Sequence, residues 1–206
     1  ALQHVFVVRY AELLPDAPAI DVPAELLAMR AAAATVPAGC EDFLATVRAG
    51  GSPAPVQIAM DDVALMTYTS GTTGLPKGAM LTYGNALFKT AAAAQCNGVR
   101  GDDVLLSVAP LYHIAGMVMG VNVPVFPGAT SVLMYRFDPM GVAQALERHR
   151  VGWWYSIAPM NAALMQVPGL RERDLTALRM NPVTSFGITL TEALASTTPS
   201  RIALYR

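Results

Sequence analysis

The chain has 206 residues, of which 53% are hydrophobic and 14% are charged, and its formal net charge is −1. A charged fraction this far below the usual value of about 25% indicates a mostly buried chain, a membrane protein, or part of a larger body that covers it. The near-zero net charge excludes an electrostatic case for a nucleic acid or an acidic membrane as partner.

Residues 104–135 contain no Asp, Glu, Lys or Arg, which raises the question of a membrane span. Proline and glycine interrupt this segment, so no uninterrupted apolar stretch of about 20 residues remains. We expect a buried segment rather than a transmembrane helix. Cys40 and Cys96 belong to no CxxC pair, so we expect neither a disulfide framework nor a zinc site. We expect a cytoplasmic location, where thiols stay reduced.

Short β-branched segments alternate with helical ones along the chain. The predicted strands are 2–8, 63–68, 79–81, 104–108, 131–134, 151–156 and 178–184. The predicted helices are 41–49, 85–95 with Thr82 as N-cap and Asn97-Gly98 after its end, 114–121, 140–149 and 160–166. Residues 15–39 are expected to be loop, and 50–55 a connection. The alternation predicts an α/β fold with a mainly parallel sheet flanked by helices.

The segment YTSGTTGLPKG, residues 68–78, concentrates hydroxyl groups and glycines around one lysine. Glycine permits positive φ and close approach of the backbone to a ligand. Successive backbone N–H groups and hydroxyls suit phosphate oxygens, and Lys77 adds a positive charge. Neither GxxxxGK[ST] nor GxGxxG is present. The segment therefore predicts a different type of polyphosphate-binding loop, the alternative being an exposed turn between two strands.

Residues 68–85, YTSGTTGLPKGAMLTYGN, resemble the phosphate-binding signature of the adenylate-forming superfamily. This superfamily includes acyl-CoA synthetases, luciferases and the adenylation domains of peptide synthetases. Thr82 and Asn85 fit its Thr-His-x-Asn pattern, while Tyr83 stands in place of the histidine.

A second segment, PLYHIAG at 110–116, resembles the superfamily's Pro-x-[Phe/Tyr]-His-x-x-Gly motif beside the carboxylate substrate. The resemblance implies that His113 and Gly116 bind that substrate, whereas an isolated histidine would more simply be a satisfied core residue. A looser match at 185–194, SFGITLTEAL, implies that Ser185, Phe186 and Gly187 border adenine. A rival alignment to an aromatic-Gly-x-Thr-Glu motif needs two inserted residues.

The resemblance implies that residues 1–206 are a fragment of the large N-terminal AMP-binding domain, without the C-terminal domain and its lysine. It implies ATP-dependent conversion of a fatty or aryl acid to an acyl-adenylate and then to a coenzyme A thioester. ATP, Mg²⁺ and coenzyme A are the implied cofactors and co-substrates. Lys77 and Thr73 are implied as catalytic, with Thr73 also the candidate Mg²⁺ contact, and the implied ATP-binding residues are Thr69, Ser70, Gly71, Thr72, Thr73, Gly74 and Lys77.

Two matters stay open at this point. An apolar acyl pocket is one interpretation of Ile114, Met117, Met119 and Val121, and ordinary core packing is the other. The chain could also be a nucleotide-binding module or an inactive fragment rather than part of a working ligase. The sequence does not determine the oligomeric state.

Overall fold

The computed structural model describes residues 4–32, 35–52, 54–69, 71 and 74–182. The chain divides into two compact units, residues 1–57 and 58–206.

In the first unit, strand β1 (Phe6–Val7) pairs in parallel with β2 (Glu41–Asp42). A 3₁₀ turn, Tyr10–Leu13, precedes helix α1 (Ala24–Ala31), and helix α2 (Phe43–Ala49) follows β2. The Asp42 carboxylate caps α2 by accepting from the Ala45 N–H at 2.7 Å, as N-cap aspartates do.

Helix α1 lies inside the segment 15–39 that was expected to be loop, so this prediction was wrong. Its sequence, AELLAMRA, consists of good helix formers and follows Pro23. Leu26, only 1% exposed, provides the buried anchor that such a short helix needs.

The second unit begins with an antiparallel hairpin of β3 (Val63–Tyr68) and β4 (Gly78–Thr82). Leu65 pairs with Leu81, and Tyr68 with Gly78 at the end nearest the loop. Helix α3 (Tyr83–Cys96) follows β4 directly and buries Thr90, Ala93 and Ala94. The prediction of a strand, a loop, a strand and a Thr82-capped helix is confirmed.

A three-stranded parallel sheet forms the centre of this unit. Strand β5 (Val104–Ser107) lies between β6 (Thr130–Leu133) and β7 (Trp153–Trp154). Neighbouring side chains of a strand point to opposite faces, and Leu105 and Leu106 are 1% and 2% exposed, so both faces of β5 are covered. The mainly parallel sheet flanked by helices is therefore confirmed, with the hairpin as an antiparallel addition.

The predicted helix 114–121 is less regular than expected. It consists of α4 (Ile114–Gly116), a π-helical turn (Met117–Asn122) and α5 (Val123–Val125). Farther along are α6 (Pro139–Arg148), α7 (Ala158–Leu164) and a 3₁₀ turn, Leu170–Glu172. π-helical turns inside α-helices occur frequently at functional sites.

Two contacts join distant parts of this unit. The buried Asp103 carboxylate accepts from the Arg100 N–H at 2.7 Å and pairs with the Arg179 guanidinium. Trp153 bridges to Met180 alongside β7. The last predicted strand, 178–184, is represented by this bridge, and its residues 183 and 184 lie outside the described part. Among the described helices, none is both long and apolar enough for a bilayer span.

Candidate active site

The hydroxyl- and glycine-rich loop joins the two hairpin strands. The Thr69 N–H donates to the Lys77 carbonyl oxygen at 2.9 Å, and the Lys77 N–H donates to the Thr69 hydroxyl oxygen at 3.1 Å. These two bonds continue the ladder one step beyond the Tyr68–Gly78 pair. The strands therefore hold both ends of the loop at a fixed separation.

Gly71 occupies a position that other residues would not tolerate. Its φ is +70°, in the left-handed region, and a β-carbon there would lie 2.6 Å from the Gly74 carbonyl oxygen. The same β-carbon would lie 2.9 Å from the Pro76 nitrogen. The Gly74 N–H donates back to the Gly71 carbonyl at 3.1 Å, which closes a tight turn.

Lys77 is exposed at the end of this loop. Within the described part of the chain, its ammonium group has no hydrogen-bond or ion-pair partner. Such an ammonium is available to an anion. Ser70, Thr72 and Thr73 lie outside the described residues, so the roles expected for their hydroxyls stay predictions.

The capping box at the start of α3 explains why the signature contains Thr82 and Asn85. The Thr82 hydroxyl accepts from the Asn85 N–H at 3.2 Å, and the Asn85 side-chain oxygen accepts from the Thr82 N–H at 3.2 Å. Tyr83, which replaces the superfamily's histidine, is half-buried in the first turn of α3.

His113 lies immediately before α4 and acts as its N-cap. Its Nδ1 accepts from the Ala115 N–H at 3.1 Å, so in the neutral ring the proton is on Nε2. The residue is exposed, so Nε2–H is available as a donor. The alternative of a buried core histidine is therefore wrong for His113.

Gly116 is fixed by its neighbour in the same motif. A β-carbon on Gly116 would lie 2.1 Å from the Pro110 carbonyl oxygen and 2.9 Å from that of Ala109. The absence of a side chain lets the helical segment pack against the loop that carries His113. Gly116 itself is buried, so its part in substrate binding stays a prediction.

The two motifs border one cavity of about 340 Å³. The hairpin, α3, the helical segment after His113 and Tyr155 contribute its lining, which consists of Leu65, Leu81, Asn85, Ala86, Lys89, Ile114, Ala115, Val118, Met119, Asn122 and Tyr155. Ile114 and Met119 of the expected acyl pocket are in this lining, whereas Met117 and Val121 are not. Lys89, Asn122 and Tyr155 were not expected, because only the packing of α3, the π-helical turn and the segment after β7 brings them here.

The structure leaves two other expectations untested. Ser185, Phe186 and Gly187, the candidate adenine residues, lie outside the described part. Among residues 4–182 that the structure describes, no cluster of three histidine, cysteine or acidic side chains could hold a metal ion.

The sequence profile of AMP-binding enzymes matches residues 5–202. A parallel sheet flanked by helices, together with the glycine- and hydroxyl-rich hairpin loop, is the arrangement expected for adenylate-forming proteins. The chain belongs to the AMP-binding enzyme family.

Individual proteins support this assignment. Feruloyl-CoA synthase of an Amycolatopsis species is 37% identical over 144 residues, covering 70% of this chain and 28% of that protein. 4-Coumarate–CoA ligase 1 of Solanum tuberosum is 31% identical over 175 residues, covering 81% and 32%. The chain thus spans about a third or less of the length of these relatives.

A solved structure agrees with the fold. O-Succinylbenzoate coenzyme A synthetase from Bacillus subtilis, in complex with ATP and magnesium ion, matches with a TM-score of 0.64 and 28% identity. The match covers 77% of this chain and 33% of that protein. It confirms the acyl-CoA synthetase-like fold expected from the sequence.

Proposed function

We propose that the protein activates a carboxylic acid with ATP, forming an acyl-adenylate and pyrophosphate, and then transfers the acyl group to coenzyme A. The observation that carries this proposal is the hairpin loop with both ends hydrogen-bonded and an ammonium group that no described carboxylate neutralises. Family membership and the relatives' names support the same reaction.

The loop fits a triphosphate for a physical reason. The missing side chain of Gly71 lets the turn fold tightly onto Gly74 and Pro76, and the backbone N–H groups of such a glycine-rich turn suit phosphate oxygens. Lys77 would stabilise charge that builds up on the departing pyrophosphate, an effect that favours the transition state over the bound substrates. Mg²⁺, when bound with the nucleotide, would neutralise further phosphate charge.

The acid would lie beside His113, whose Nε2–H can donate to a carboxylate oxygen. This bond would orient the nucleophilic oxygen without removing a proton, since a carboxylate at neutral pH has none to lose. Feruloyl-CoA synthase and 4-coumarate–CoA ligase are named for aromatic acids, which favours an aryl acid over a fatty acid. We also infer a cytoplasmic enzyme, consistent with Cys40 and Cys96 not being disulfide-bonded.

The test is pyrophosphate exchange in the complete protein with Lys77→Ala. We expect acid-dependent exchange to fall by roughly a hundredfold or more, while the Kd of the acid, measured by calorimetry, changes less than about threefold. Arg171→Ala, which removes another exposed cation from the turn Leu170–Glu172, is the matched control and should leave both values unchanged.

Equal losses in exchange and in acid binding would contradict the role given to Lys77. If the complete protein binds ATP in a Lys77-dependent manner but forms no acyl-adenylate from any acid in a panel, the nucleotide-binding module is the correct interpretation.

A further inference from the structure

The cavity next to the His113 motif has a mostly aliphatic wall with a single cation in it. Its volume of about 340 Å³ is within the range of small-molecule sites, roughly 300–1,000 Å³. Most of the wall is aliphatic, with Leu65 and Leu81 on the hairpin and Val118 and Met119 on the π-helical turn. None of the residues that line it is acidic, and one of them, Lys89, is a cation.

Lys89 and Asn85 supply donors from one side of α3. They are four residues apart, so their side chains lie on the same face of the helix. The Asn85 oxygen accepts from the Thr82 N–H, which leaves the amide NH₂ to project from the cap. The Lys89 ammonium forms no hydrogen bond or ion pair with any residue that the structure describes. The wall therefore presents donors and a positive charge, and no acidic residue lines it.

The hairpin residues that line the cavity beside these donors, Leu65 and Leu81, lie away from the phosphate-binding loop. Leu81 of β4 is four residues beyond Lys77, which separates the two backbone positions by roughly 13 Å at the rise of a strand. Asn85 and Lys89 of α3 line the cavity together with Leu81 and its partner Leu65. An acid whose reacting carboxylate is near the loop would extend along the aliphatic wall toward them.

We propose that the cavity binds the apolar body of the acid and that Lys89, with Asn85, binds a second carboxylate at the end remote from the reacting one. The substrate class is then dicarboxylic acids with a short alkyl or aryl body. The inference rests on the proposed function and names its substrate. Lys89 is exposed, and a ligand carboxylate would form a charge-assisted hydrogen bond with its ammonium, for which no acidic residue lines the cavity.

The test uses matched acids with the complete protein. The pairs are octanoate with octanedioate, and 3-phenylpropanoate with 3-(4-carboxyphenyl)propanoate, compared by pyrophosphate release. We expect kcat/KM to favour the diacid of each pair about fivefold or more, as for a charge-assisted contact at a partly exposed site. In Lys89→Met the ratio should fall to about one, mainly through the KM of the diacid, while Lys89→Arg should keep a preference.

The matched control is Gln95→Met, which removes an exposed polar side chain from α3 outside the cavity and should leave the ratio unchanged. Calorimetry of diacid binding without ATP gives a second readout that does not depend on turnover. A ratio that is the same in wild type and Lys89→Met, or a wild-type preference for monoacids, would overturn the inference.

The two proposals can fail separately. Turnover of monoacids and diacids with a kcat/KM ratio that does not depend on Lys89 would leave the ligase function intact and reject the dicarboxylate site. Lys89-dependent binding of diacids with no pyrophosphate release from any acid would support the site and reject the ligase function.

Discussion

Gly116 and the Pro110 carbonyl are so close that a β-carbon on the glycine would lie 2.1 Å from that oxygen. The approach joins the two ends of the PLYHIAG motif, with His113 between them. Its spacing is therefore a packing requirement.

Gly116→Ala is expected to destabilise the protein by about 1–3 kcal/mol, because the added methyl meets backbone atoms that cannot turn aside. Urea unfolding measures the change. Gly51→Ala is the matched control, since a β-carbon there meets nothing within 4 Å and the φ is ordinary. A Gly116→Ala protein as stable as Gly51→Ala would contradict the packing described here.

Gly71→Ala is expected to weaken ATP binding about tenfold or more. The alanine would be held at positive φ, costing roughly 1–2 kcal/mol, and its methyl would press on Gly74 and Pro76. Gly71 is half-buried and residues 74–77 beside it are exposed, so global stability should fall less than for Gly116→Ala. The Kd of ATP and the melting temperature together distinguish the two effects, and an unchanged Kd would show that the turn does not shape the nucleotide site.

His113→Asn separates the capping role of His113 from its role toward the acid. Asparagine is a good N-cap and can accept from the Ala115 N–H, but it has no group equivalent to Nε2–H. We expect stability to stay within about 0.5 kcal/mol, while the KM of the acid rises roughly tenfold, as for a lost hydrogen bond to a charged group. A variant with wild-type KM and kcat would remove His113 from the acid site.

Asp174 gives a prediction for acid pH. Hydrogen bonds from the Thr176 hydroxyl and N–H, and then the nearby Arg150, hold the pKa of its exposed carboxyl below the ordinary value of 3.8. A carboxyl whose pKa is lower in the native state than in the unfolded state stabilises the fold at pH values above its unfolded pKa. This contribution is lost as the pH falls through the native pKa. The melting temperature of Asp174→Asn should therefore be lower than that of the wild type at neutral pH. The two melting temperatures should converge at pH values below the native pKa of Asp174. A gap that persists in strong acid would contradict this.

Local signals predicted the hairpin and α3 well, because Thr82 and Asn85 cap the helix within four residues of each other. They predicted a strand over 151–156, which is longer than the observed β7, because the pairing of Trp153 and Trp154 with β5 covers only two residues. They missed α1, whose alanine-rich sequence has weak periodicity and whose formation depends on burying Leu26. They also gave no indication of Lys89 as a site residue, since its position depends on how α3 packs beside the hairpin and the π-helical turn.

The wide turn between α4 and α5 has a consequence for the orientation of His113. A π turn holds one residue more than the α-helical turn it replaces. Deleting a residue from Met117–Asn122 would let the segment relax into a regular helix, and everything before it would rotate by about 100° around the axis. The imidazole of His113 would then point in a different direction, so the number of residues in this turn determines the orientation of that side chain.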